Sequence, residues 1–305
     1  MASLADTLGS ISARLGELEG DPVPLEGGIT NRNYRVRFAG EDVVVRLPGK
    51  DTDLLEIDRG AEKAAGELAA RAGVGPEVVA ALDEPPCLVT AFVGGGTMDA
   101  EALRAPEALA EVAAALRAMH GREELLPIEF SSFRIVETYA ARMADGGAEV
   151  PSSYEWALAA AHRIEAALVG PEHDPVPCHN DLLAANFIRS PRGVRIVDWE
   201  YAGMNDRYFD LGNFAVNNGL DEGQEAALLS AYFEAPASDR RLASLRLMRF
   251  MSDFREAMWG AVQGTISDLD FDFDDYCAKH FERMRESAAE GRLEALLEEA
   301  AGAPG

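Results

Sequence analysis

Apolar residues at Leu4, Leu8, Ile11, Leu15 and Leu18 recur at intervals of four, three, four and three, the stripe of one amphipathic helix. The period then shortens to two. Tyr34, Val36 and Phe38 alternate with arginines, and Val43 to Leu47 is apolar except for Arg46. Val78 to Leu82 and Cys87 to Phe92 are further short apolar runs bounded by turn residues. These runs predict an antiparallel sheet crossed by one helix, from about Ile57 to Ala72, that breaks at Gly73-Val74-Gly75-Pro76. Gly94-Gly95-Gly96 follows, and beyond it the pattern turns helical. A helix over Leu109 to His120 stops at Gly121, with His120 as a cap or core contact rather than a catalyst. Gly121 to Val150 reads as loop-rich, with a short helix near Val136 to Met143. Ser152-Ser153-Tyr154-Glu155 has the spacing of a capping box for a helix that stops at Gly170. Another helix opens near Asp206, and a long one over Arg241 to Val262 carries the stripe Leu242, Leu245, Met248, Met251, Met258, Trp259, Val262. Tyr276 to Ala301 is again amphipathic. The expected class is α+β, with a sheet-rich part over residues 1–93 and a larger, mostly helical part over 94–305.

Composition narrows what such a chain does. At 305 residues and 48% hydrophobic content it can bury two cores. Against 28 Lys plus Arg stand 53 Asp plus Glu, a net charge of −25 that repels nucleic acid and anionic membranes and favours cationic partners. Cys87, Cys178 and Cys277 are odd in number and far apart, so neither a disulfide framework nor a zinc site is expected. The chain has no eighteen-residue apolar run and no apolar start with a basic flank. A cytoplasmic protein without membrane insertion is the expectation.

The chemistry gathers between Cys178 and Tyr201. Asn186 to Arg189 and Val194 to Val197 are short apolar runs around Ser-Pro-Arg-Gly, a hairpin that sets Asn186 near Asp198. Asp181 lies five residues before Asn186 in a polar loop. Two carboxylates and an amide oxygen suit a hard cation such as Mg²⁺. Taken singly, the aspartates are ordinary turn and strand-end residues; it is the spacing that points to chemistry.

His179-Asn180-Asp181, four residues, Asn186, and then Asp198-Trp199-Glu200-Tyr201 resembles the choline/ethanolamine kinase branch of the aminoglycoside phosphotransferase-like enzymes. The resemblance implies a bilobal protein-kinase-like fold that binds ATP and Mg²⁺ between its lobes. Asp181 would then be the catalytic base, with Asn186 and Asp198 on the metal and His179 and Asp210 in support. Gly27, Gly28, Thr30 and Asn31 match that family's loop over the nucleotide, whereas a Walker A sequence is absent. Arg46, a charge in an apolar run that needs an anionic partner, would hold phosphates with Glu62 beside it, Glu67 being the rival. Thr90, Phe92 and Val93 fall at the hinge that borders adenine.

For the acceptor, the resemblance points to Glu200, Tyr201, Glu256 and Trp259. Trp259 matches the second position of a Trp-x-x-Trp pair whose first position here is Glu256, a change that favours a protonated amine over choline. Only about a dozen residues separate Asp198 from the next helix, too few to dock a polypeptide, so a small cationic alcohol is expected. Thiamine, aminoglycoside or methylthioribose kinases and a non-catalytic nucleotide-binding module remain alternatives. Ser267 to Asp275 is an acidic loop, read as solvated.

Overall fold

The computed structural model describes residues 4–25, 31–49, 52–170, 173–267 and 269–301. Helix α1 (Leu4–Leu15) ends earlier than its leucine stripe suggests, because Gly16 adopts a left-handed φ of 98° and Leu18 starts a strand. That strand, β1 (Leu18–Leu25), contains two prolines, which an edge position tolerates and which hide it from a strand reading. β2 (Asn31–Phe38), β3 (Glu41–Pro48), β4 (Val78–Asp83) and β5 (Pro86–Ala91) complete an antiparallel sheet in the order β1-β2-β3-β5-β4. Side chains alternate across it. Val43, Val45, Leu47 and Val89 join Leu8 and Ile11 of α1 in one core, while Val44, Arg46, Leu88 and Thr90 line a cavity on the opposite face. Helix α2 (Arg59–Arg71), whose first turn is capped by the Asp58 carboxylate at the Ala61 amide, lies between the sheet and the rest of the chain.

The three glycines are more than a linker. Gly96 and Thr97 form β6, which pairs with β8 (Phe187–Ser190) at Arg189 and Ile188. Gly95 has φ 137°, and a Cβ there would meet the Arg189 carbonyl oxygen at 2.1 Å, so only glycine fits.

The remainder is helical: α3 (Ala100–Leu103), α4 (Pro106–His120), α5 (Ser132–Asp145) and α6 (Tyr154–Leu168), then α7 (Arg207–Asn217), α8 (Glu222–Phe233), α9 (Asp239–Ile266), α10 (Phe273–Ala288) and α11 (Arg292–Ala301). Between α6 and α7 run β7 (Val176–Cys178), β8, β9 (Gly193–Ile196) and β10 (Gly203–Asn205). α5 is a full helix rather than a short one in a loop. Ser131 caps it at the Arg134 amide, and Phe133, Val136, Tyr139 and Met143 bury one face. The predicted capping box before α6 does not form, since Ser153 adopts a helical backbone and makes no side-chain cap. The acidic stretch is a loop only in part, because Phe273, Asp274 and Asp275 open α10 and Phe273 is buried; Asp268 lies outside the described residues. α9 runs through the largest core, against α5, α6, α7, α10 and α11. No helix among the described residues is long and apolar enough to cross a membrane.

Candidate active site

The loop between β7 and β8 carries Asp181, and α7 holds that loop from behind. Asp210 accepts the His179 amide at 2.8 Å, the Asn180 amide at 2.7 Å and His120 Nε2 at 3.0 Å. His120 is thus a core contact, also within 2.8 Å of the Tyr232 hydroxyl. Burial acts to raise the Asp210 pKa, but His120 and these donors hold it below the usual carboxylate range. Donor atoms of His120, Cys178 and Asp210 lie within 4.8 Å of one another, yet the Asp210 oxygens are already engaged, so the cluster is a buttress.

His179 is fixed from both sides. Its Nδ1 accepts the Asp181 amide at 3.2 Å, which leaves Nε2 to donate to the Val197 carbonyl at 2.9 Å. Burial lowers its pKa, in keeping with a neutral ring. The loop is thereby tied to the residue before Asp198. Asn180 donates to the Tyr201 carbonyl and accepts from Asn205, while Asn213 accepts the Leu182 amide.

Asn186 directs its amide nitrogen to the Asp181 carbonyl at 2.8 Å and the Asp181 carboxylate at 3.3 Å, so its oxygen is the atom left to ligate. β8 and β9 pair as the hairpin pattern requires. Asp198 follows β9 with φ 68°, a left-handed backbone uncommon for aspartate and of the kind found where a side chain must be aimed.

Across the cleft, Arg46 donates to Glu62 at 2.5 Å and is ion-paired with Asp198. Burial disfavours its charge, but Asp198 and Glu62 raise its pKa well above the ordinary value. Glu67 is elsewhere, half-exposed beside Lys63. These groups border a cavity of about 530 Å³ lined by Arg46, Glu62, Thr90, Phe92, Val93, Asn186 and Asp198, which brings the predicted phosphate, hinge and metal residues together. Gly27, Gly28 and Thr30 lie outside the described residues, whereas Asn31 is buried and donates to Glu200 at 2.7 Å.

That bond separates Glu200 from the other acceptor candidates. Arg59 lies 3.5 Å from Glu200, 3.2 Å from the Asn31 oxygen and 2.7 Å from Glu62. Tyr201, Glu256 and Trp259 form a second group. Trp259 donates to the Tyr201 hydroxyl at 2.9 Å, and the Tyr276 hydroxyl donates to Glu256 at 2.7 Å. In their midst stands Arg255, ion-paired with Glu256, 3.3 Å from Asp181, and 4.3 Å over the Tyr201 ring. Despite the burial that disfavours its charge, Arg255, His280 and Tyr276 hold Glu256 below the ordinary carboxylate range. Asp181 goes the other way. Burial pushes its carboxyl up to about 7 against the pull of Arg255, with Glu256 and Asp198 adding to the rise.

Sequence reasoning misses Arg59, Tyr276 and above all Arg255. The signal for Arg255 is its place in the apolar stripe of α9, between Met251 and Met258, where a charge demands a buried partner.

A sequence model described as the phosphotransferase enzyme family matches residues 21–247. The chain is 24% identical to probable choline kinase 1 of Arabidopsis thaliana over 93% of its own length and 90% of that protein. Among solved structures, a choline/ethanolamine kinase family protein from Mesorhizobium loti superposes with a TM-score of 0.82 at 28% identity, covering 96% of this chain and 99% of the other. Choline kinase LicA from Streptococcus pneumoniae gives 0.78 at 25%, covering 96% and 100%.

Proposed function

Because the chain belongs to the phosphotransferase enzyme family and has its kinase-like fold, we propose that it transfers the γ-phosphoryl group of ATP to the hydroxyl of a small amino alcohol of the choline or ethanolamine type. One observation carries the reading. Asn186 and Asp198 line the cavity that Arg46 of β3 and Glu62 of α2 border from the other side, and Asp181 is hydrogen-bonded to Asn186 beside it. We set the nucleotide lobe at 1–93 and the acceptor lobe at 94–305. The reading includes a cytoplasmic setting, in keeping with three buried free cysteines.

Mg²⁺ fits this donor set, an amide oxygen and a carboxylate beside a cavity large enough for phosphates, and Asn186 and Asp198 are the residues that would hold it. When bound, it neutralises charge on the transferring phosphoryl group. Arg46, fixed by Glu62, supplies a second positive charge on the sheet side. Thr90, Phe92 and Val93 border the adenine end. Asp181 orients the acceptor hydroxyl and takes its proton, a task suited to a carboxyl raised toward neutrality. Positioning and charge neutralisation suffice for a loose phosphoryl transfer, so this list is chemically complete. Glu256 and Trp259 support an amine-bearing acceptor, the first by charge and the second by its ring.

The test is ATP consumption with Mg²⁺ over choline, ethanolamine, other amino alcohols, thiamine and aminoglycosides. Turnover confined to amino alcohols, abolished in Asp181→Ala with nucleotide binding retained, is the expected result. Selective turnover of thiamine or an aminoglycoside would replace the acceptor class, and a protein that binds no Mg²⁺-ATP would end the kinase reading.

A further inference from the structure

Arg255 is 1% exposed at the acceptor end of the site, and a buried guanidinium needs its donors met. Nη1 serves Glu256 and Asp181. Nε and Nη2, both buried, meet no acceptor among the described residues. Those two nitrogens form the edge of the guanidinium whose N–H bonds run parallel, spaced to match two oxygens of a carboxylate or phosphate. The Nε/Nη2 edge therefore lacks a protein acceptor among the described residues, while the other end of the group is held by Asp181 and Glu256. Adjacent to it stands the opposite charge. Glu256 accepts Arg255 on one oxygen and the Tyr276 hydroxyl on the other. A simple ammonium alcohol seated here could pair with Glu256 but would leave the Nε/Nη2 edge of Arg255 unmet.

We propose that the acceptor is a zwitterion, a hydroxylated amino acid whose carboxylate takes the Nε/Nη2 edge of Arg255, whose ammonium faces Glu256, and whose hydroxyl reaches Asp181. This rests on the amino-alcohol reading above and narrows it. The hydroxyl oxygen forms the new bond to the γ-phosphorus, the bond from that phosphorus to the β–γ bridging oxygen breaks with ADP leaving, and the hydroxyl proton passes to Asp181. Arg255 is then a specificity residue, since it reads a group that the reaction does not touch.

Pairs of acceptors that differ only by the carboxylate test it: L-serine against ethanolamine, and L-threonine against 1-amino-2-propanol, in the ATP-consumption assay with Mg²⁺. The carboxylate-bearing member of at least one pair should be favoured by about 100-fold or more in kcat/KM. Arg255→Leu should cut that preference to about threefold or less, chiefly through KM. Arg255→Lys, which keeps the charge and loses the fork, should lose most of it as well. The preference is a ratio within one protein preparation, so partial unfolding of a variant does not move it. Preference for the uncarboxylated member in both pairs, or no preference in either, would overturn the proposal and leave the kinase standing. If neither member of any pair is phosphorylated while choline is turned over, the zwitterion falls and the amino-alcohol reading stands; if choline is inert too while Mg²⁺-ATP still binds, both fall.

Discussion

Replacing Asp181 by asparagine should stabilise the fold while it destroys turnover, and the size of the gain should depend on pH. Burial raises the carboxyl from 3.8 to about 7. At about 1.36 kcal/mol per pH unit, its ionised form costs the folded state up to about 4 kcal/mol relative to the protonated form. The direction follows from proton counts. Between the two values the folded chain retains a proton that the unfolded chain has released, so the wild type loses stability as pH rises through this window, and the cost is complete above pH 7. Asp181→Asn carries no such cost, since an amide does not ionise. The smaller part of the total is already present at pH 5, where the unfolded carboxyl is ionised, which leaves about 2–3 kcal/mol to appear between pH 5 and pH 8. Urea unfolding followed by tryptophan fluorescence, on both proteins at both pH values, measures the difference. A variant that is less stable than wild type at pH 8, or whose gain is equal at the two pH values, would show that the ion pair with Arg255 outweighs burial at this carboxylate and refute the argument.

Three further changes probe the frame around the site. Gly95→Ala places a Cβ 2.1 Å from the Arg189 carbonyl and forces φ 137° on an L-residue, so thermal denaturation should register a loss of about 2–4 kcal/mol. Glu62→Gln removes the carboxylate shared by Arg46 and Arg59; steady-state kinetics should show the KM for ATP rising about tenfold or more, with a smaller change in the KM for the acceptor. Asp210→Ala strands the His179 and Asn180 amides and His120, which should cost about 3 kcal/mol in denaturant unfolding and lower kcat about 100-fold in the protein that remains folded.

The geometry proposed to hold phosphate was legible because it is nearly local. Asn186 follows Asp181 by five residues, and a hairpin of two four-residue strands brings Asp198 back to both. Strand alternation alone puts Arg46 on the cavity face with Val44, and the choice between Glu62 and Glu67 comes down to the helix phase nearest the strand. The acceptor side obeys a different rule. Arg255 finds Asp181 across 74 residues of chain, and Tyr276 reaches Glu256 from another helix. No local pattern encodes such contacts; only the packing of α9 against the catalytic loop and α10 creates them. The break in the apolar stripe at Arg255 announces that a buried partner must exist without saying which one. The two sides meet at one residue, Asp181, which holds Arg255 on one side and Asn186 on the other. Substitutions at Arg255 and Glu256 should reach the proposed phosphate and metal hairpin by hydrogen bonds only through Asp181, since Asn186, Asp198 and Arg46 make no hydrogen bond or ion pair with either residue among the described contacts.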